Sequence, residues 1–197
     1  TEGLMPNYAL GQQVRKDDER IKASYETVQS PMGNGSIKGY FVRPTSADTR
    51  EAMPLKMAGV LVVHENRGLN PHIEDIARRF ALDGFMAFAP DGLTSLGGFP
   101  GDDYRGGQMF TKVDGNKMRE DFVAAANWLR TRADCTGKIC ATGVCFGGGV
   151  SNVLAVRLGE NLAAIAPFYG GNPPLPDVPK IKAGVLVHHG ALDTRLA

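Results

Sequence analysis

The chain has 197 residues, 43% hydrophobic and 22% charged, with a formal net charge of +1. That length suits one domain with a sizeable core, and the near-neutral balance, without basic runs or aromatic-rich basic stripes, argues against nucleic acid as a partner. The longest apolar runs are strand-sized, which leaves nothing able to span a bilayer as a helix.

The three cysteines, at 135, 140 and 145, match neither C-x-x-C nor a zinc spacing, and their odd number argues against a disulfide scaffold. The chain starts at Thr1, so no signal peptide can be read from it. The cytoplasm is the default location, and export after removal of a leader stays open.

Residues 1–23 are polar and read as an extended or mobile arm ahead of a domain over 24–197. Tyr25 to Gln29 and Ser36 to Arg43 alternate around Pro31-Met32-Gly33-Asn34-Gly35, which predicts a β-hairpin. A polar linker covers Pro44 to Lys56. Ala58 to His64 is a continuous apolar run, as expected of a strand buried on both faces of a parallel sheet. Apolar residues at 73, 76, 77, 80 and 81 predict a helix over Ile73–Leu82, with Gly84 as its stop. Phe85 to Ala89 is a second buried strand. Residues 90–115, rich in Gly, Asp and Pro, show no period and read as a long loop of the kind that forms lids. Positions 118, 122, 125, 126 and 129 predict a helix over Asn116–Arg132. A strand ending at Val144, a helix over Val150–Leu158, a strand over Ala163–Tyr169, a Pro-rich loop and a strand over Gly184–His189 complete the order. Strand–helix alternation after a hairpin means an α/β fold with a mostly parallel sheet.

Between the strand and helix at the centre of this order lies Gly143-Val144-Cys145-Phe146-Gly147-Gly148-Gly149. It is the G-x-S-x-G nucleophile elbow of α/β-hydrolases with Cys in place of Ser. Small neighbours let strand, helix and substrate approach the apex, and a helix N-terminus favours a thiolate there. The bland alternative is a Gly-rich turn with an inert Cys; a phosphate loop is excluded by spacing. In open α/β sheets ligands bind beyond the carboxyl ends of the strands. Those ends carry His64-Glu65-Asn66-Arg67-Gly68, Pro90-Asp91-Gly92, Cys145, Phe168-Tyr169-Gly170-Gly171 and His188-His189-Gly190-Ala191-Leu192-Asp193.

These motifs together, with Val62-Val63 before and Leu69-Asn70-Pro71 after the first of them, resemble the dienelactone hydrolase family of the α/β-hydrolase superfamily. The resemblance covers roughly residues 25–197. It implies hydrolysis of small esters or lactones, and nothing in the sequence implies a metal or organic cofactor. Cys145 would be the nucleophile, Asp193 the triad acid and Glu65 a group that helps activate the thiol. The backbone N–H groups of Phe146 and Asn66 would form the oxyanion hole. Glu65 could instead pair with Arg67, and Asp193 could be a plain turn residue. Arg67 and Arg105 suit a substrate carboxylate or are solvated surface charges. Tyr169 is a pocket-wall ring or a hydrogen-bonding group.

The superfamily order is nucleophile, acid, His, and no His follows Asp193. The histidines present, 64, 72, 188 and 189, do not occupy the family's position, and none is assigned as the base. The expectation is therefore an α/β-hydrolase fold truncated before its last strand and helices, with the His in a missing C-terminal segment. The alternative is an inactive fragment or a binding module with a hydrolase-like pocket. An exposed sheet edge would favour a homodimer.

Overall fold

The computed structural model describes residues 7–45 and 56–194. The linker read over Pro44–Lys56 lies mostly outside them. The elements are α1 (Tyr8–Gly11), β1 (Ile21–Ser30), β2 (Gly35–Pro44), β3 (Met57–Val63), α2 (Pro71–Leu82), β4 (Met86–Pro90), α3 (Asp103–Phe110), α4 (Gly115–Thr131), β5 (Cys135–Val144), α5 (Phe146–Leu158), β6 (Ala164–Phe168) and β7 (Gly184–Val185), with short 3-10 turns at Thr94–Leu96, Gly159–Asn161 and Leu175–Lys180.

A sheet of seven strands runs in the order β1-β2-β4-β3-β5-β6-β7. The predicted hairpin pairs Ile21 with Pro44 through Ser30 with Gly35, and β2 is antiparallel to β4. All remaining pairs are parallel. This is the mostly parallel α/β sheet that the strand–helix alternation predicts.

The strands are buried on both faces because their two side-chain sets go to different cores. Leu61, Val63, Met86, Phe88, Ile139 and Ala141 pack with Phe122, Ala125 and Leu129 of α4 and Val150 and Leu154 of α5. Val60, Val62, Ala87 and Ala89 pack with Ile73, Ala77 and Ala81 of α2. On the α2 side the sheet is incompletely covered. A hollow of about 450 Å³ lies among Val62, Val63, Ile76, Phe80, Val144 and Phe168, and Val185, Leu186 and Val187 are half or more exposed. Among the described residues no helix is long and apolar enough to cross a membrane.

Four expectations change. The arm is not loose over its described part: α1 forms, and Val14 is 5% exposed within the α2-side core. The loop over 90–115 contains α3. Its Gly106-Gly107 pair is a poor helix signal, yet it is needed there: a Cβ on Gly106 would stand 2.2 Å from the Arg67 carbonyl oxygen. α5 starts at Phe146 rather than Val150, so the glycine run is its first turn. The last strand has regular pairing only over Gly184–Val185, although Leu186 and His188 go on donating to the Ile165 and Pro167 carbonyls (3.0 Å each).

Candidate active site

β5 stops at Val144 and α5 starts at Phe146, so Cys145 alone makes the turn. It does so at φ 55°, ψ −112°, as the N-cap of α5. A non-glycine residue there stores strain of roughly 1–3 kcal/mol and needs surroundings that enforce it. The glycines are those surroundings. A Cβ on Gly147 would lie 2.3 Å from the Val63 carbonyl oxygen, and one on Gly170 would lie 2.2 Å from the Gly148 carbonyl carbon. Backbone meets backbone at both places, so neither can yield. Gly147→Ala should therefore destabilise the fold by about 1–3 kcal/mol, readable as a lower denaturant midpoint. A wild-type midpoint would show that α5 can shift away from β3.

A cleft of about 660 Å³ opens at this turn, lined by Cys145, Phe146, Asn66, Phe110, Arg119 and neighbouring residues of α5 and the 171–174 loop. Among the described residues, neither the Asn66 nor the Phe146 backbone N–H finds an acceptor within the protein. Both residues line the cleft, and unsatisfied backbone donors are groups that can receive an anionic oxygen. Cys145 is half-buried; Cys135 is buried, and burial pushes the Cys140 thiol up.

Glu65 accepts a hydrogen bond of 3.0 Å from the Tyr169 hydroxyl. Its partner is thus Tyr169 rather than Arg67. Tyr169 has φ 37°, held by its N–H donating to the His188 carbonyl (2.8 Å). Burial, the hydrogen bond and charge of Glu65, and the charge of Cys145 push its phenol up to about 12. A raised folded value means stability that is fully present below the unfolded tyrosine range near 10 and lost as pH rises through about 12. Tyr169→Phe should accordingly lose less stability than the parent between those two pH values in melts recorded against pH. Equal losses would mean that the Glu65 contact does not persist in solution.

The arginines fall apart from these groups. Arg67 turns its Nη1 onto the Asn66 side-chain oxygen (3.1 Å) and lines a separate hollow of about 580 Å³ with Tyr104 and Lys112. Arg105 is 68% exposed and pairs with Asp102 at 3.9 Å. Neither lines the Cys145 cleft; Arg119 does. Sequence reasoning missed Arg119 and Phe110. Arg119 neighbours the buried Met118 on α4, a weak signal for a cleft edge, and Phe110 lies in the stretch read as a loop.

Asp193 sits in the turn after β7, where its N–H donates to the Gly190 carbonyl (3.0 Å). Among the described residues no histidine hydrogen-bonds the Cys145 thiol. His64 is wholly buried. The Gly92 N–H donates to its Nε2 at 2.8 Å, so Nδ1 carries the proton and donates to the Glu65 carbonyl. Burial lowers its pKa, against the opposing charge of Asp91. It is a neutral core residue joining β3 to the end of β4. His188 stacks on Phe168, ring centroids 4.3 Å apart, and His72 and His189 are exposed. Among the described residues no group of three or more His, Cys, Asp or Glu is placed to hold a metal ion.

A mostly parallel seven-stranded sheet between helices, with a cysteine on the sharp turn between β5 and α5, defines an α/β-hydrolase fold. Residues 37–197 match the dienelactone hydrolase family, and the chain belongs to it. The provisionally named hydrolase fragment YghX of Escherichia coli (strain K12) is 51% identical over 111 residues, which are 56% of this chain and 90% of that protein. A provisionally named carboxymethylenebutenolidase of the same organism is 31% identical over 162 residues, 80% of this chain and 56% of that protein. The chain thus spans little more than half the length of that relative. Among solved structures, a dienelactone hydrolase-like promiscuous phosphotriesterase from metagenomic libraries superimposes with a TM-score of 0.69 at 28% identity, covering 89% of this chain and 71% of the other.

Proposed function

We propose that this chain carries the acyl-transfer half of a hydrolase for small esters or lactones. Cys145 is the nucleophile at a nucleophile elbow, and the Asn66 and Phe146 N–H groups bind the oxyanion. The observation that carries this reading is that Asn66 and Phe146, whose N–H groups have no acceptor among the described residues, line the same cleft as Cys145. The sulfur attacks the ester carbonyl and the oxyanion forms between the two donors. Collapse of that intermediate breaks the C–O bond and expels the alkoxide or phenoxide with its electron pair. Glu65, held by Tyr169, is the carboxylate available to take the thiol proton as substrate enters. Arg119 is the cation on the cleft wall available to a substrate carboxylate.

Hydrolysis of the acyl-enzyme needs a base to activate water. In this reading Asp193 orients a His supplied from beyond residue 197, in the order that the superfamily uses. Mixing the chain with a p-nitrophenyl ester tests the reading. A stoichiometric burst of p-nitrophenolate followed by slow turnover supports it. No burst from a chain that still binds the ester favours a binding module instead.

A further inference from the structure

The N-terminal arm precedes the segment that matches the family, which starts at residue 37, yet it is fastened to the body twice. The first fastening is deep. The Gln13 and Val14 N–H groups donate to Asp75 Oδ1 (3.0 and 2.9 Å), and Arg78 Nε donates to the Val14 carbonyl (2.8 Å). That alone would cover α2.

The second fastening lies beside the catalytic groups. The Tyr8 hydroxyl donates to the Asp103 carboxylate and accepts from Asn70 Nδ2 (3.0 Å), which also reaches Asp103 Oδ1 (3.3 Å). Asn70 caps α2, its side chain accepting from the Ile73 N–H at 3.2 Å, and ends the loop that begins with Glu65, Asn66 and Arg67. Asp103 starts α3, whose Gly106 and Gly107 pack on the Arg67 carbonyl and guanidinium and whose last residue, Phe110, lines the Cys145 cleft. Tyr8 therefore clasps the 65–70 loop to α3. Burial, Asp103 and the charge of Glu65 all push its phenol up while Arg67 opposes them, which places it within the field of both.

We propose that Tyr8 is a positioning residue of the hydrolytic site: through Asn70 and Asp103 it sets the 65–70 loop against α3 and so aims the Asn66 N–H at the substrate's carbonyl oxygen. This rests on reading the Cys145 cleft as an acyl-transfer site. Removing one oxyanion donor outright costs about 10²–10³-fold, and an unclasped donor is misaimed rather than lost.

The test compares Tyr8→Phe and Asp103→Asn, singly and together, in two reactions of Cys145. Acylation by a p-nitrophenyl ester develops an oxyanion; alkylation by iodoacetamide does not. Each single variant should slow acylation about 10-fold at saturating ester with unchanged half-saturation. The double variant should be no slower than either, because both break one clasp. Alkylation should stay at the parent rate, and amides of residues 65–70 should exchange hydrogen faster. If acylation and alkylation fall together, Tyr8 is merely structural and the proposal is overturned. Parent-like acylation, or parent-like exchange at 65–70, overturns it too. Absence of any burst from the parent chain removes the hydrolytic reading and this proposal with it, whereas a normal parent burst unaffected by Tyr8→Phe removes the proposal alone.

Discussion

Replacing Cys145 with alanine is expected to abolish the p-nitrophenolate burst, lowering the initial rate by at least about 10³-fold. Among the described residues, no other side chain lining the cleft is a competent nucleophile, and the nearby candidates outside it are unsuited. His64 is wholly buried with its ring nitrogens occupied. Cys135 is buried, and Cys140 is half-buried with its thiol pushed up. Cys145→Ser should keep the cleft but acylate much more slowly, since a hydroxyl is far harder than a thiol for a carboxylate such as Glu65 to deprotonate and is a weak nucleophile until it is. In the parent, turnover after the burst should be nearly flat, because among the described residues no histidine is bonded to the thiol, and positioned acid–base help is worth about 10²–10⁴-fold. Peptide mapping after limited alkylation gives an independent check, with the first adduct expected on Cys145. A burst that survives in the alanine variant, or first modification at Cys135 or Cys140, would remove the assignment.

The largest loss of stability is expected from Arg78→Ala, about 3–5 kcal/mol in chemical denaturation. The Arg78 side chain is wholly buried beside two buried carboxylates, Asp75 (3.5 Å from Nη2) and Glu74 (4.0 Å from Nη1). It also donates to the Val14 carbonyl at 2.8 Å and lies over the Tyr40 ring, 5.8 Å from its centroid. Truncation leaves two buried carboxylates with Lys16, 3.1 Å from Glu74, and Arg79, 3.5 Å from Asp75, as the cations beside them. It also leaves the arm's carbonyl without a donor. A loss below about 1 kcal/mol would place the cluster among weakly contributing surface pairs. Because this cluster anchors the arm, the variant should also loosen Tyr8 from Asn70 and Asp103.

Much of the frame was legible before the fold was known. Val60, Leu61, Val62 and Val63 form an unbroken apolar run because each face of the sheet has its own helices, and only such a strand lacks alternation. The spacing of 118, 122, 125, 126 and 129 in α4 followed from burying one stripe of a helix. The glycines around Cys145 pointed to a tight turn, and the collisions that a Cβ would make with Val63 explain them.

What could not be read rests on partners distant in sequence. α3 was invisible because a short helix with two central glycines has little propensity; contact with Arg67 compensates for it. The arm looked loose because its polar residues find their partners at Asn70, Asp75, Arg78 and Asp103, dozens of positions away. The same holds at the site. The glycine-rich turn after β5 nominated Cys145, and the family resemblance nominated Glu65, Asn66 and Phe146. Tertiary packing alone decided that Glu65 holds Tyr169, that Arg67 and Arg105 fall outside the cleft while Arg119 borders it, and that His64 is a neutral core residue. Residue type and period report what one segment needs to bury; which charges meet depends on how separate segments are brought together, and only the assembled sheet specifies that.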